Sequence, residues 1–434
     1  MGMIIFLTAV VVEISLAAFC IITKSIHKKV RSIIRIASFV GFVLLAILPV
    51  IDWSLRYYAL GSLLLLLSII GAITLIQKKE EKREYKAVLV VLKAIGMTVL
   101  IFALTLPAIM FPQNKAVVDT TGEYQIATKT YTYIDTSRVE SYTDTNKNRK
   151  LNVQLWYPDN SDGTYPLIVF SHGGLGIKSS NESLYNELAS HGYVVFSIDH
   201  TYQCFYTTDE DGDTTLIDLG YMQELFNEDP QSDIHKSYEY YQKWMKIRTD
   251  DINFVIDYII TQAKNNNADM AYKLVDITKI GVMGHSLGGS GALGIGRIRD
   301  DVNAVIALES PFMYDIEGIE DGRFVFTDEI YPVPVLNVYS DSSWGILAQR
   351  PQYAANYSML SDTNATTFNV YISGVGHLAL TDFALTSPIL TRILDGKKTT
   401  TETVYCLKTI NKVCLEFFNS YLKGEGEFTS SGSY

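Results

Sequence analysis

Cysteine is scarce: Cys20, Cys204, Cys406 and Cys414 are the four in 434 residues. The last two stand eight residues apart in one helical stretch. At 1.5 Å per residue that is about 12 Å, too far for a disulfide, so disulfide scaffolding is excluded. Cations are also short beyond residue 111, where 24 Lys/Arg face 42 Asp/Glu, net −18. A nucleic-acid-binding domain needs a stripe of phosphate-binding cations first, so that class is excluded as well. Residues 1–111 reverse the balance, with 12 Lys/Arg against 5 Asp/Glu, net +7. A hydrophobic content of 48% and a mean hydropathy of +0.12 exclude a disordered chain and point to two solvents.

Four apolar runs occupy the first segment, at 3–22, 33–51, 57–76 and 87–111. Each approaches the ~20 residues a helix needs to cross a ~30 Å hydrocarbon core. The first run lacks a basic stretch before it and three more follow, which argues against a cleaved signal peptide. Lys24, Lys28, Lys29, Arg31 and Arg35 cluster between runs one and two, and Lys78, Lys79, Lys82, Arg83 and Lys86 between three and four. The connector between two and three carries only Asp52 and Arg56. The positive-inside bias places both basic loops in the cytoplasm, so the N-terminus and the large domain face outward. Glu13 and Lys93 lie within the spans. Lys93 can snorkel and Glu13 alone supplies no relay, so the segment reads as an anchor in the cell membrane in contact with lipid.

The remainder divides into a polar linker and edge-strand region at 112–149 and a domain at 150–434. Short β-branched runs at 151–157, 167–171, 194–198, 280–283, 302–308, 333–339 and 368–372 alternate with helical stretches at 184–190, 238–263 and 288–299. This alternation predicts an α/β fold with a mostly parallel sheet covered on both faces, and an antiparallel edge from 119–150. Ligands of such sheets bind beyond the carboxyl ends of the strands.

At one of those ends the sequence reads Gly284-His285-Ser286-Leu287-Gly288-Gly289, ahead of a helix rich in Gly and Ala. This is the G-x-S-x-G elbow in its strand, turn and helix context, where small neighbours let the serine Oγ stand clear of the sheet. A serine needs a base, and His377, in Ser373-Gly374-Val375-Gly376-His377 after the last strand, is placed to be one. Two carboxylates fit the order Ser, acid, His: Glu309, directly after the 302–308 strand, and Asp341, after the next. Glu309 follows a buried strand, whereas Asp341 lies in a polar run, so Glu309 is preferred and Asp341 is the alternative. Oxyanion donors are expected at the backbone N–H of Leu287 and in the turn His172-Gly173-Gly174-Leu175-Gly176, at Gly174 with Leu175 as the alternative. No Gly-Lys-Ser/Thr follows that turn, nor G-x-G-x-x-G spacing, so it does not read as a phosphate cradle.

The runs YPLIVFSHGGLG, LASHGYVVFSIDH, GVMGHSLGG and SGVGHLALTDF resemble stretches of the platelet-activating factor acetylhydrolase family, the secreted and intracellular α/β-hydrolase type. A broader similarity extends to dienelactone-hydrolase-like esterases. The resemblance covers about residues 150 to 420. It implies an α/β-hydrolase with Ser286 as nucleophile, His377 as base and Glu309 as acid, although the family usually has aspartate there. An extra glycine at the oxyanion turn leaves Gly174 and Leu175 both open.

The expected reaction is serine ester hydrolysis through an acyl-enzyme, with no cofactor and no metal. Asp209, Asp211 and Asp213 alternate like calcium ligands, but Thr214 stands where the loop glycine should be, which favours a solvated loop. Residues 200–250 form an aromatic and acidic insertion that either caps the pocket or packs as ordinary helix. Trp244, Arg248 and Asp251 share one helical face there, where an Arg–Asp pair reads as structural. Substrates implied by the anchor are amphiphilic, phospholipid-like esters with short or oxidised acyl groups. A general carboxylesterase, a cell-envelope deacylase, a peptidase or thioesterase, and a non-catalytic receptor on the same fold are the competing readings. Asn181, Asn356 and Asn364 begin glycosylation sequons.

Overall fold

A computed structural model describes residues 1–77, 85–113, 116–159, 161–361, 366–396 and 399–434. Lys78, Lys79, Lys82, Arg83 and the Asn364 sequon lie outside the described residues. The chain forms two compact units, one of Met1–Ala116 with Thr386–Leu390, the other of Val117–Leu385 with Thr391–Tyr434.

The first unit contains helices α1 (Gly2–Ile22), α2 (Lys28–Ile47), α3 (Leu55–Ile76) and α4 (Ala87–Met110). All four are long and apolar enough to cross a membrane. Small residues set their spacing: a Cβ on Gly2 would stand 2.6 Å from the Ala108 carbonyl carbon, and one on Gly71 2.9 Å from the Ser32 oxygen. Glu13 and Arg35 both line an apolar cavity of about 570 Å³ in this bundle. Lys93 is exposed on α4.

The second unit opens with β1 (Ile126–Val139), β2 (Asn148–Pro158), β3 (Tyr165–Ser171), α5 (Glu182–Ser190) and β4 (Val194–Asp199). The insertion follows as a hairpin, β5 (Tyr206–Thr208) and β6 (Thr214–Leu216), then α6 (Leu219–Asn227) and the first half of α7 (Ile234–Ala263). After the single turn α8 (Met270–Lys273) come β7 (Val275–His285), α9 (Leu287–Ile298), β8 (Val302–Leu308), a second hairpin of β9 (Ile316–Glu320) and β10 (Arg323–Phe326), β11 (Val335–Tyr339) and β12 (Thr367–Tyr371). The C-terminal helix Thr403–Phe418 and β13 (Gly432–Ser433) end the chain.

Nine strands form one sheet in the order β1-β2-β4-β3-β7-β8-β11-β12-β13. Among the described residues of this sheet, only the pairings of β2 with β1 and β4 are antiparallel. The strands alternate their side chains between two cores. Ile168, Phe170, Val195, Met283 and Ile306 meet α5 and the C-terminal helix on one face. Leu167, Val169, Phe196, Val282 and Val305 meet α7 and α9 on the other.

Boundaries differ from expectation where local chemistry intervenes. The helix expected at 238–263 starts at Ile234, because the Asp233 side chain accepts from Lys236 N at 2.9 Å and caps it. The strand expected from 333 starts at Val335, past Pro334, which has no N–H for a ladder. Asn181 and Asn356 are buried, their amides donating to Leu380 O and Ser310 O, so neither sequon presents an acceptor on the folded domain. All four cysteines are buried, and none is in a disulfide among the described residues.

Candidate active site

The register aligns the carboxyl ends of the central strands. Ser171 stands opposite Gly284, Gly284 opposite Ala307, and His285 opposite Leu308. The residues that follow, His172, Ser286 and Glu309, therefore leave the sheet at one edge. Sequence order reverses direction between β3 and β7, which makes this edge the topological switch point.

Ser286 sits at φ 54° and ψ −125°, a conformation that L residues rarely hold. Its N–H is tied to Leu308 O at 2.9 Å. The turn closes because its neighbours are glycines. A Cβ on Gly288 would lie 2.0 Å from Ser171 O, and one on Gly289 2.0 Å from Ser310 Oγ. Leu287 begins α9, so its N–H is one of the end groups a helix leaves for an anion.

His377 lies against the elbow. Its ring packs against His285 at a tilt of 40° with centroids 4.5 Å apart, and its carbonyl accepts from His285 Nε2 at 3.1 Å. Burial, and after it the neighbouring His377, push His285 well below the ordinary imidazole value, so it stays neutral and donates. His377 Nδ1 is 3.7 Å from Glu309 Oε2, a close approach rather than a formed hydrogen bond. Glu309 is buried and at φ 49°. Burial alone would raise its carboxyl, but His377, with the hydroxyls of Ser340 and Ser343, holds it below the ordinary value.

Asp341 occupies a different place. Its Oδ1 accepts from Tyr371 OH at 2.6 Å and from Gly374 N at 3.2 Å, bracing the loop that carries His377. Asp395 braces the other side, accepting from Leu378 N at 2.9 Å, with Gly376 too close to its carboxylate for any side chain. Sequence reasoning missed both braces, since nothing local marks a carboxylate that serves a loop 17 to 33 residues away.

The glycine turn after β3 holds Gly174 under the insertion. Tyr221 OH donates to Gly174 O at 3.1 Å, and a Cβ on Gly174 would stand 3.0 Å from Leu225. Leu175 is 47% exposed. The insertion is partly buried and partly exposed. Tyr221, Tyr241 and Trp244 are buried in a cluster with Leu287 and Met313, whereas Phe205, Tyr206 and Phe226 are exposed.

The Arg248–Asp251 pairing is not formed among the described residues. Asp251 instead takes Arg149 through two hydrogen bonds, at 3.1 and 2.7 Å, and Arg138 at 2.9 Å, cations from distant strand residues. A further bond from His200 Nδ1 at 2.9 Å extends this network, and Ser171 Oγ meets His200 Nε2 at 2.8 Å. Ser171, His200 and Asp251 thus make a second serine–histidine–carboxylate chain, fully enclosed. Burial, then Arg248, drive His200 down to about 3, so it is neutral.

His172, Asp199 and Cys204 gather within 4.8 Å of one another, a spacing compatible with a metal. The donor set fits poorly, because Asp199 is already bound by Lys178 Nζ at 2.7 Å and Thr207 Oγ1 at 2.6 Å. Asp209, of the acidic loop, pairs with Lys150 and accepts from Asp211 N and Asp213 N, which makes it a turn brace.

Comparisons with known proteins agree with this architecture. A family model described as platelet-activating factor acetylhydrolase, isoform II, matches residues 119–433. Platelet-activating factor acetylhydrolase of Canis lupus familiaris is 32% identical over 140 residues, which cover 30% of this chain and 31% of the dog protein. Cutinase est1 of Thermobifida alba is 29% identical over 154 residues, 36% of this chain and 38% of the cutinase. The chain thus spans about a third of each of these relatives. Ferulic acid esterase from Streptomyces cinnamoneus superposes with a TM-score of 0.57 at 21% identity, covering 72% of this chain and 94% of its own, a likeness of fold. The chain belongs to the platelet-activating factor acetylhydrolase, isoform II, family, whose relatives here are α/β-hydrolase esterases.

Proposed function

We propose that this family member is a membrane-anchored serine ester hydrolase acting on amphiphilic esters, with phospholipid-like esters of short or oxidised acyl groups as its substrate class. One observation carries the reading: Ser286, on a strained elbow, shares a sheet edge with an imidazole backed by a buried carboxylate. His377 Nε2 takes the proton of Ser286 Oγ as the oxygen attacks the ester carbonyl. Glu309 fixes the ring through Nδ1–H and stabilises the imidazolium. The N–H of Leu287 and a second from Gly174 or Leu175 receive the oxyanion. Collapse expels the alcohol with the proton from His377. Water then repeats the cycle, returning the acid and free Ser286. The acetylhydrolase and cutinase names of the relatives support an ester as substrate.

The test is covalent labelling of the full-length protein by a fluorophosphonate, together with turnover of p-nitrophenyl acetate. Labelling and turnover that both vanish in Ser286→Ala support the reading. An unreactive, folded wild type would sink it and favour a non-catalytic receptor.

The anchor is the four apolar helices, with the catalytic domain outside the cell and the basic loops within. All native cysteines are buried, so Asp211→Cys, on the exposed β5–β6 turn, supplies a clean reporter. A membrane-impermeant maleimide should label it on intact cells. Labelling only after lysis would reverse the topology.

A further inference from the structure

Three successive carbonyls of the oxyanion turn are engaged. His172 O accepts from Arg248 Nη1 at 2.8 Å, Gly173 O from Gly176 N at 3.1 Å, and Gly174 O from Tyr221 OH at 3.1 Å. In a trans peptide the following N–H points opposite to its C=O. Tying those three oxygens therefore fixes the directions of the N–H groups of Gly173, Gly174 and Leu175. A turn with three glycines in five residues has little of its own to set these directions beyond the His172 ring, whose Nδ1 donates to Gly173 O at 2.6 Å, and glycine is the least restrained residue.

The first of these ties comes from a cation. Arg248 is 0% exposed and has no carboxylate within ion-pair distance among the described residues. Its donors meet neutral acceptors: Gln203 Oε1 at 2.8 Å, His172 O at 2.8 Å, and Gln203 O, Ser171 Oγ and Tyr221 OH at 3.4 Å. Enclosing a charge without a counter-charge is costly, and a neutral donor would satisfy His172 O equally well. The site that gains from such a charge is one where negative charge develops nearby.

We propose that Arg248 is a positioning residue for the oxyanion turn, orienting its N–H groups through His172 O and favouring negative charge there, with Tyr221 as a second clamp on Gly174 O. The insertion is then part of the catalytic framework. This rests on the ester-hydrolase reading above.

The experiment compares wild type, Arg248→Met, Arg248→Lys, Tyr221→Phe and, as an exposed control on the same helix, Lys246→Met. Turnover is normalised to fluorophosphonate-titrated sites, so that misfolded protein is not counted, and the inhibition constant of a trifluoromethyl ketone, which binds as an oxyanion, is measured alongside. Arg248→Met should lower kcat on the order of 100-fold with KM within about threefold, and weaken the ketone by a similar factor. Arg248→Lys should recover about tenfold of that loss, and Tyr221→Phe should lower kcat roughly fivefold. Loss of titratable sites with unchanged kcat per site would mean a structural role only and would overturn the proposal. If Arg248→Met yields no folded protein, Tyr221→Phe and Arg248→Lys decide: kcat and ketone affinity falling together support the proposal, and neither falling overturns it. A wild type that neither labels nor turns over would overturn the ester-hydrolase reading itself, whereas an active wild type beside an indifferent Arg248→Met would overturn only this one.

Discussion

Two serine–histidine–carboxylate sets stand in one domain, and the better bonded is the enclosed one. Ser171, His200 and Asp251 are joined by contacts of 2.8 and 2.9 Å with no exposure, while His377 and Glu309 approach at 3.7 Å with the imidazole 31% exposed. What separates them is access and backbone. Ser171 ends a regular strand, whereas Ser286 is held at positive φ on a turn that lifts its side chain off the sheet. Complete bonding marks a group that has its partners already, and a site awaiting substrate keeps part of its capacity open.

The comparison breaks most directly at the serines. Ser286→Ala should lower turnover at least 1,000-fold and abolish fluorophosphonate labelling, whereas Ser171→Ala should keep labelling and lose no more than about tenfold in turnover. Equal losses would erase the distinction. The carboxylates come next. Glu309→Gln should lower kcat roughly 1,000-fold, and Asp341→Asn, which weakens a loop brace, only about three- to tenfold; steady-state kinetics with KM near its wild-type value checks this, and the reverse order would transfer the orienting role to Asp341.

The smallest effect sharpens the enclosed set. His200 is held neutral in the fold, far below its unfolded value of about 6.5, so its stabilisation is full above that value and falls as pH drops toward about 3. Asp251, held below the ordinary carboxylate value chiefly by Arg149 against the opposing effect of burial, adds a loss that begins only below about pH 4. Calorimetry should show Tm falling by roughly 2 °C per unit between pH 6 and 4.5, with a shallower slope in His200→Gln. An unchanged slope would remove His200 from the acid-sensitive set.

Much of the fold was legible because it is written locally. Apolar runs of about 20 residues and short β-branched strands announce themselves by length and period, and the elbow by its glycines. Less local features were not. The 14-residue β1 appeared in the sequence only as a polar edge segment. Asp251 looked like a partner for Arg248 three residues away, yet its partner Arg149 is 102 residues distant. Asp341 and Glu309 were indistinguishable in chain order, and the tertiary positions differ because Tyr371 and Gly374 take one while His377 meets the other.

Ser286, His377 and both acid candidates could be named from the chain alone, since a strained turn must be spelled in small residues and each strand must end where its apolar run ends. Three-dimensional structure alone decided which carboxylate faces the imidazole, that Arg248 grips the glycine turn after β3, and that two sequon asparagines are enclosed. The reason is physical. Backbone geometry is a property of neighbouring residues, while a charge or a hydrogen-bonding group is assigned its role by whichever distant segment folds against it.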